Sequence, residues 1–358
     1  MQHFLNKLSN ITNNNNGDYM GHNIDLSKYK TRTDLAIEVI NNDIDGITSN
    51  IYEDDDIKIT EVFINDKAGK KINKKSGNYI TVEFEDITDY DNSKNVERVF
   101  SEQLNKLMKK MNITDDQNCL VVGLGNSKST PDSLGPLAIG NILVTNHLFL
   151  LGEVEKGFRS VSAIVPGVLG QTGLETSEVI QSIVNKFKPD FLIVIDALAS
   201  QSIERVNKTI QMTDTGIHPG SGVGNSRKEI SKDTLGIPCI AIGVPTVVDA
   251  ITIVSDTINY MHKHYSYSKE NINNPLNKLI TMPNYLNKKV SVNKKDKEVL
   301  LGIVGKLEDV EVKQLLFEVL TPIGYNLMVT PKEVDFLIEK LSMIISNGIN
   351  KALHKKVN

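Results

Sequence analysis

Hydrophobic and polar positions along the chain change between a spacing of two and a spacing of three to four, and each change marks an element. Ile57 to Ile64 and Tyr79 to Phe84 alternate partly in steps of two, which predicts strands joined by a lysine-rich turn. Val96, Val99, Phe100, Leu104, Leu107, Met108 and Met111 recur at helical spacing and predict a helix leading into the core. Short apolar runs then take turns with helical patterns: strand Cys119 to Leu124, helix Ser133 to Leu148, strand Ser160 to Val165, helix Leu174 to Phe187, strand Phe191 to Ile195. A strand from Cys239 to Gly243 precedes a helix from Val247 to His262. The last helix runs from Pro331 to Leu353, with proline at its favoured first position. This alternation implies an α/β fold, a mostly parallel sheet with helices on both faces, with smaller β and loop segments inserted at 55–90 and 265–297.

Composition narrows the partners. A chain of 358 residues, 40% of them hydrophobic, is an ordinary globular protein with room for a large core. Its net charge of -4 and its lack of a concentrated basic face argue against direct nucleic-acid binding. The basic runs Lys67 to Lys75 and Lys288 to Lys297 read as solvated loops. No run approaches the length of a membrane helix and no signal peptide opens the chain, so a cytoplasmic protein without membrane contact is expected. Cys119 and Cys239 each begin an apolar run and read as small buried hydrophobes. Residues 1–34 form a polar leader, and its run Asn13 to Gly17 offers too little apolar surface to offset the entropy of ordering.

The candidate chemistry lies at strand ends. Asp132, in the glycine-punctuated stretch Gly123 to Pro136, and Asp196, in Phe191 to Leu198, each follow an apolar run that reads as a buried parallel strand. Loops at the carboxyl ends of such strands share one crevice, so these two acids are expected to converge. Either one alone reads equally well as a structural residue: Asp132 as the cap of a helix starting near Ser133, Asp196 as a strand-end acid. A close pair raises the pKa of one member, which gives an acid and a base able to activate water and protonate a leaving amine.

Gly123 and Gly125 directly after a strand suggest a dinucleotide turn, but the third glycine of that fingerprint is missing, and a nucleotide-binding module remains an alternative. Gly216 to Gly224 holds four glycines in nine residues, and Gly220, Ser221 and Gly222 within it are candidates to clamp an extended peptide or an oxyanion. His218 reads as a metal ligand, as a proton carrier, or as a residue bonded within its own loop. Paired acids with His218 would also suit a divalent metal that lowers the pKa of bound water.

Five segments resemble the germination protease family of endospore-forming bacteria: Tyr29 to Glu38, Gly123 to Asn126 with Thr130 to Pro136, Ile195 to Leu198, Gly216 to Asn225 and Gly243 to Asp249. The resemblance implies an aspartic-type endopeptidase with a fold similar to hydrogenase-maturation endopeptidases and catalytic residues at Asp132 and Asp196. It implies a homotetrameric zymogen in the forespore and spore core that removes its own N-terminal segment. During germination such an enzyme would degrade small acid-soluble, DNA-protecting spore proteins. No cofactor is required on this reading, although the maturation enzymes' acids contact metal and a metal-dependent peptidase stays open. The family cuts after an acidic residue followed by a hydrophobic residue and alanine. Asp34-Leu35-Ala36 imitates that pattern, so self-cleavage is expected between Asp34 and Leu35, with 1–34 as propeptide and 35–358 as a single peptidase domain.

Overall fold

The computed structural model describes residues 33–40, 44–152, 154–220, 227–273, 294–320 and 327–357. The leader up to Arg32, most of the insert after Asn273, and Ser221 and Gly222 lie outside them.

Four mostly apolar runs build the parallel centre: β4 (Cys119–Gly123), β5 (Val161–Ile164), β6 (Phe191–Ser200) and β8 (Cys239–Asp249). A strand covered on both faces is hydrophobic at successive rather than alternate positions, as Cys119–Gly123 and the first five residues of β6 are. Antiparallel strands extend this centre through β7 (Thr209–Thr213), β3 (Gly77–Glu83), β2 (Ile57–Ile64) and β1 (Ile47–Asp54), giving the order β1-β2-β3-β7-β8-β6-β4-β5. The two-residue β9 (Met328–Val329) pairs with β8.

Seven helices matter for the packing: α1 (Asp66–Ile72), α2 (Tyr90–Lys110), α3 (Leu134–Ile139), α4 (Asn146–Leu151), α5 (Thr176–Phe187), α6 (Ala250–Glu270) and α7 (Val334–Leu353). Val99, Phe100 and Leu104 of α2 join Ile338, Leu341 and Ile345 of α7 over Val121, Ile193 and Ile242 of the sheet. On the other face Ile180 and Val184 of α5 cover Leu120, Val122, Leu192 and Val194. The helices therefore cover both faces of the sheet, and both cysteines are buried.

Tertiary pairing moves several predicted boundaries. The helix predicted from Ser133 to Leu148 divides into α3 and α4, because Thr145 pairs with strand β5: its N–H donates to the Val161 carbonyl at 3.0 Å and its Oγ1 accepts from Val161 N at 3.0 Å. The helix predicted from Val247 begins at Ala250 instead, since Val247 and Val248 extend the ladder with Ala199 and Ser200. Asp249 caps α6 by accepting from Ile251 N, and the helix runs through Tyr265 into the predicted insert. The lysine-rich turn contains α1, capped by Asn65 and closed by Asn73 in the left-handed region at φ 54°.

Candidate active site

The chain leaves β4 toward β5 and returns to place β6 on the other flank, so the carboxyl ends of β4 and β6 frame a topological switch point, the preferred crevice of an open α/β sheet. Asp196 lies one residue beyond the last β4–β6 pair, Gly123 with Ile195. It is buried, and its Oδ1 accepts from Ala197 N at 2.9 Å.

Asp132 reaches the same crevice from a loop folded tightly against β4. A Cβ on Gly123 would meet the Gly135 carbonyl oxygen at 2.4 Å, and one on Gly135 would meet the Leu124 oxygen at 2.2 Å, so only glycines let α3 rest on the strand end. Asn126 N–H donates both to the Asp132 carbonyl and to its Oδ2, each at 2.9 Å. Thr246 Oγ1 donates to the Pro131 carbonyl at 2.6 Å, which ties the loop to β8.

The two acids feel each other. Burial pushes Asp132 up, and the Asn126 N–H and the Arg227 charge pull it back. Asp196 is pushed well above the ordinary carboxylate range by burial, by the Asp132 charge and by the Asp34 charge, against the Ala197 N–H and Arg227. The environment thus makes Asp196 the better holder of a proton.

Asp34 belongs to a segment laid along the far end of β6. Its N–H donates to the Ala199 carbonyl at 3.1 Å, and its Oδ2 accepts from Ala199 N at 2.9 Å. Leu35 and Ala36 are fully buried, the latter against Val62, Ile64 and Tyr79. Gln211 Oε1 accepts from Ala36 N at 2.7 Å while its Nε2 donates to the Asp34 carbonyl at 3.2 Å. Lys74 Nζ donates to the Thr33 and Asp34 carbonyls at 3.0 and 3.1 Å. Glu38 accepts from Ser200 Oγ at 2.6 Å and Gln201 N at 2.8 Å, with Thr33 Oγ1 also donating to it and Arg205 at 3.4 Å.

The structure therefore brings Asp132, Asp196 and Asp34 into one electrostatic neighbourhood. His218 pairs outside the acids: its half-exposed ring has Nε2 3.6 Å from a Glu229 carboxylate oxygen, and Glu229 is also paired with Lys75. Gly220 takes φ 70°, a left-handed conformation that favours glycine. Among the described residues no cluster of three or more His, Cys, Asp or Glu side chains is placed to hold a metal ion. Arg227, Gln211 and Lys74 are site residues that sequence reasoning missed. Arg227 follows the glycine-rich loop directly, the one signal that pointed toward it.

Known proteins bear on this geometry. A solved [NiFe] hydrogenase maturation protease, HycI from Thermococcus kodakarensis KOD1, aligns with 40% of this chain and 80% of its own, at 16% identity and a TM-score of 0.25. That likeness is too slight to carry an argument. The germination protease of Geobacillus sp. (strain WCH70) is 48% identical over 363 residues, covering 95% of this chain and 98% of that protein. The germination protease of Bacillus cereus (strain AH187) is 49% identical over 354 residues, covering 94% and 96%. A family model described as germination protease matches residues 24–358. With the family match spanning both candidate aspartates and the segment beside them, the chain belongs to the germination protease family.

Proposed function

We propose that this protein is an aspartic-type endopeptidase made as a zymogen, which cuts itself between Asp34 and Leu35 and then starts the degradation of small acid-soluble spore proteins during germination. The observation that carries this reading is the seating of Thr33–Glu38, an acidic-hydrophobic-alanine sequence, with its Asp34 charge acting on Asp196 beside Asp132. A peptide held there is held as a substrate would be.

The environments divide the labour. Asp196, with burial and two like charges against its ionisation, keeps the proton and is the general acid toward the leaving amine. Asp132 is raised by burial but drawn back toward ionisation by Asn126 N–H and Arg227, and it is the base that takes a proton from the attacking water. The ordering of the two pKa values is that of a carboxylate pair sharing one proton. A homotetramer of the forespore and spore core is the expected form, with spore proteins as partners and no nucleic acid bound directly.

Intact mass after incubation in mildly acidic buffer tests the reading, with wild type, Asp132→Asn and Asp196→Asn compared. Loss of residues 1–34 from wild type alone supports it; cutting of all three chains, or of none, refutes it. Repeating the incubation with a chelator separates it from a metal-dependent peptidase, since a rate unchanged by chelation is expected here.

A further inference from the structure

The geometry points to Gln211 and Lys74 as the carbonyl-holding part of the active site, binding the oxygen of the bond to be cut and stabilising the negative charge that develops on it. This rests on the reading that Asp34–Leu35 is that bond. Two side chains from separate strand and loop elements donate to the same oxygen, Gln211 Nε2 at 3.2 Å and Lys74 Nζ at 3.1 Å. Gln211 also accepts from Ala36 N at 2.7 Å, so its single amide grips the backbone on both sides of the bond.

Sheet register places Gln211 two strands from Asp196. Gln211 pairs with Gly243, and Gly243 pairs with Asp196. With strands about 4.8 Å apart, Gln211 and Asp196 stand roughly 10 Å apart in one row and on one face. Gly243 between them has no side chain of its own, and the Leu198 side chain packs over it. Leu35 and Ala36 are fully buried, and fixed donors in such a dry site are worth more than in water because no reorganisation is needed as charge forms.

The step balances as follows. Asp132 takes one proton from water as the water oxygen bonds to the carbonyl carbon, and the carbonyl π pair moves onto the oxygen held by Gln211 and Lys74. When that pair returns, the carbon–nitrogen bond breaks and Leu35 nitrogen takes the proton of Asp196. The new carboxyl keeps the second water proton, and Asp132 and Asp196 have exchanged roles.

The test uses the full chain and two near-isosteric variants, Lys74→Met, which removes one donor, and Gln211→Glu, which keeps the acceptor for Ala36 N but loses the other donor. The self-cutting rate is followed by intact mass, the seating of residues 33–38 by hydrogen exchange of their amides, and folding by thermal melting. Each variant should cut about 100-fold or more slowly, the scale of one lost oxyanion donor, while the segment keeps its protection; Lys74→Arg should recover part of the rate. If the rate is unchanged, or falls only as far as protection is lost, the pair merely seats the segment and the inference is overturned. Should one variant not fold, the other carries the same test. A wild type left uncut at Asp34–Leu35 overturns the functional reading itself, whereas a wild type that cuts and variants that cut equally well overturn only this inference.

Discussion

Gly125→Ala should move Asp132 more than it unfolds the protein. Gly125 adopts φ 110°, and a Cβ there would lie 2.0 Å from the Asp132 carbonyl oxygen and 3.1 Å from its Oδ1. Holding an alanine in that conformation costs about 1–3 kcal/mol. Moving the loop to relieve the contact stretches the Asn126 N–H bond to Asp132, and a bond to a charged group is worth about 1.5–3 kcal/mol. The two together give about 2.5–6 kcal/mol if the loop cannot yield, or roughly 3–8 °C in melting temperature for a chain of this size. The loop can yield, so the lower part of that range applies to stability. The cut suffers more, because a displacement of about 1 Å in a catalytic group costs on the order of 100-fold in rate. Gly173→Ala is the matched control: φ is 73° and nothing lies within 4 Å of its Cβ, so only the conformational cost of about 1–2 kcal/mol remains. Melting curves and self-cutting rates of the two variants check this. Wild-type rates in Gly125→Ala would refute the argument that this close approach sets the position of Asp132.

Two further outcomes follow from the electrostatics of the crevice. Asp196 binds its proton more tightly folded than unfolded, so its contribution to stability is complete below the ordinary carboxylate pKa of about 3.9 and is lost as pH rises through its higher folded value. Asp196→Asn should therefore melt above wild type near neutral pH, with the difference shrinking toward about pH 4; a difference constant with pH would contradict the burial argument. Asp34→Asn keeps an oxygen for Ala199 N but removes one of the two like charges on Asp196, which should then lose its proton at lower pH. A carboxyl NMR titration should show Asp196 losing its proton at lower pH in Asp34→Asn than in wild type, and an unmoved titration would show that the charge of Asp34 does not reach the acid.

What the sequence could show depended on how local the cause was. Asp132 and Asp196 were legible because each follows an apolar run that is its own signal, although Asp132 sits in a turn nine residues past β4 and Asp196 lies within β6, which runs on to Ser200. Gln211 was not legible, since its polar side chain within Thr209–Thr213 acquires meaning only from register across β8, a pairing between segments far apart in the chain. Lys74 was hidden differently. It sits in a basic run that reads as solvated, and composition cannot tell which lysine of such a run is drawn inward. Burial pushes the Lys74 amine down against the pull of Asp34 and Glu38, while Lys67 stays largely exposed. The same limit applies to Thr145 and Val247, where a strand partner outside the local window overrides the helical pattern.

The complete enclosure of Leu35 has a consequence for what happens after cutting. In the intact chain its nitrogen is a neutral amide that donates to Thr33 Oγ1 at 3.0 Å inside a closed, fully buried setting. Hydrolysis would turn that nitrogen into an ammonium, and an ion deprived of water costs several kcal/mol. The neighbouring Asp34 carbonyl, held by Lys74, would become a carboxylate as that nitrogen takes up the carboxyl proton, so the cut would leave a new pair of ions in a dry groove. The cut would thus make the new terminus a poor tenant of its own groove. Parting of the two new ends would return both ions to water, so a groove that suits the uncut amide would favour separation of the cut one.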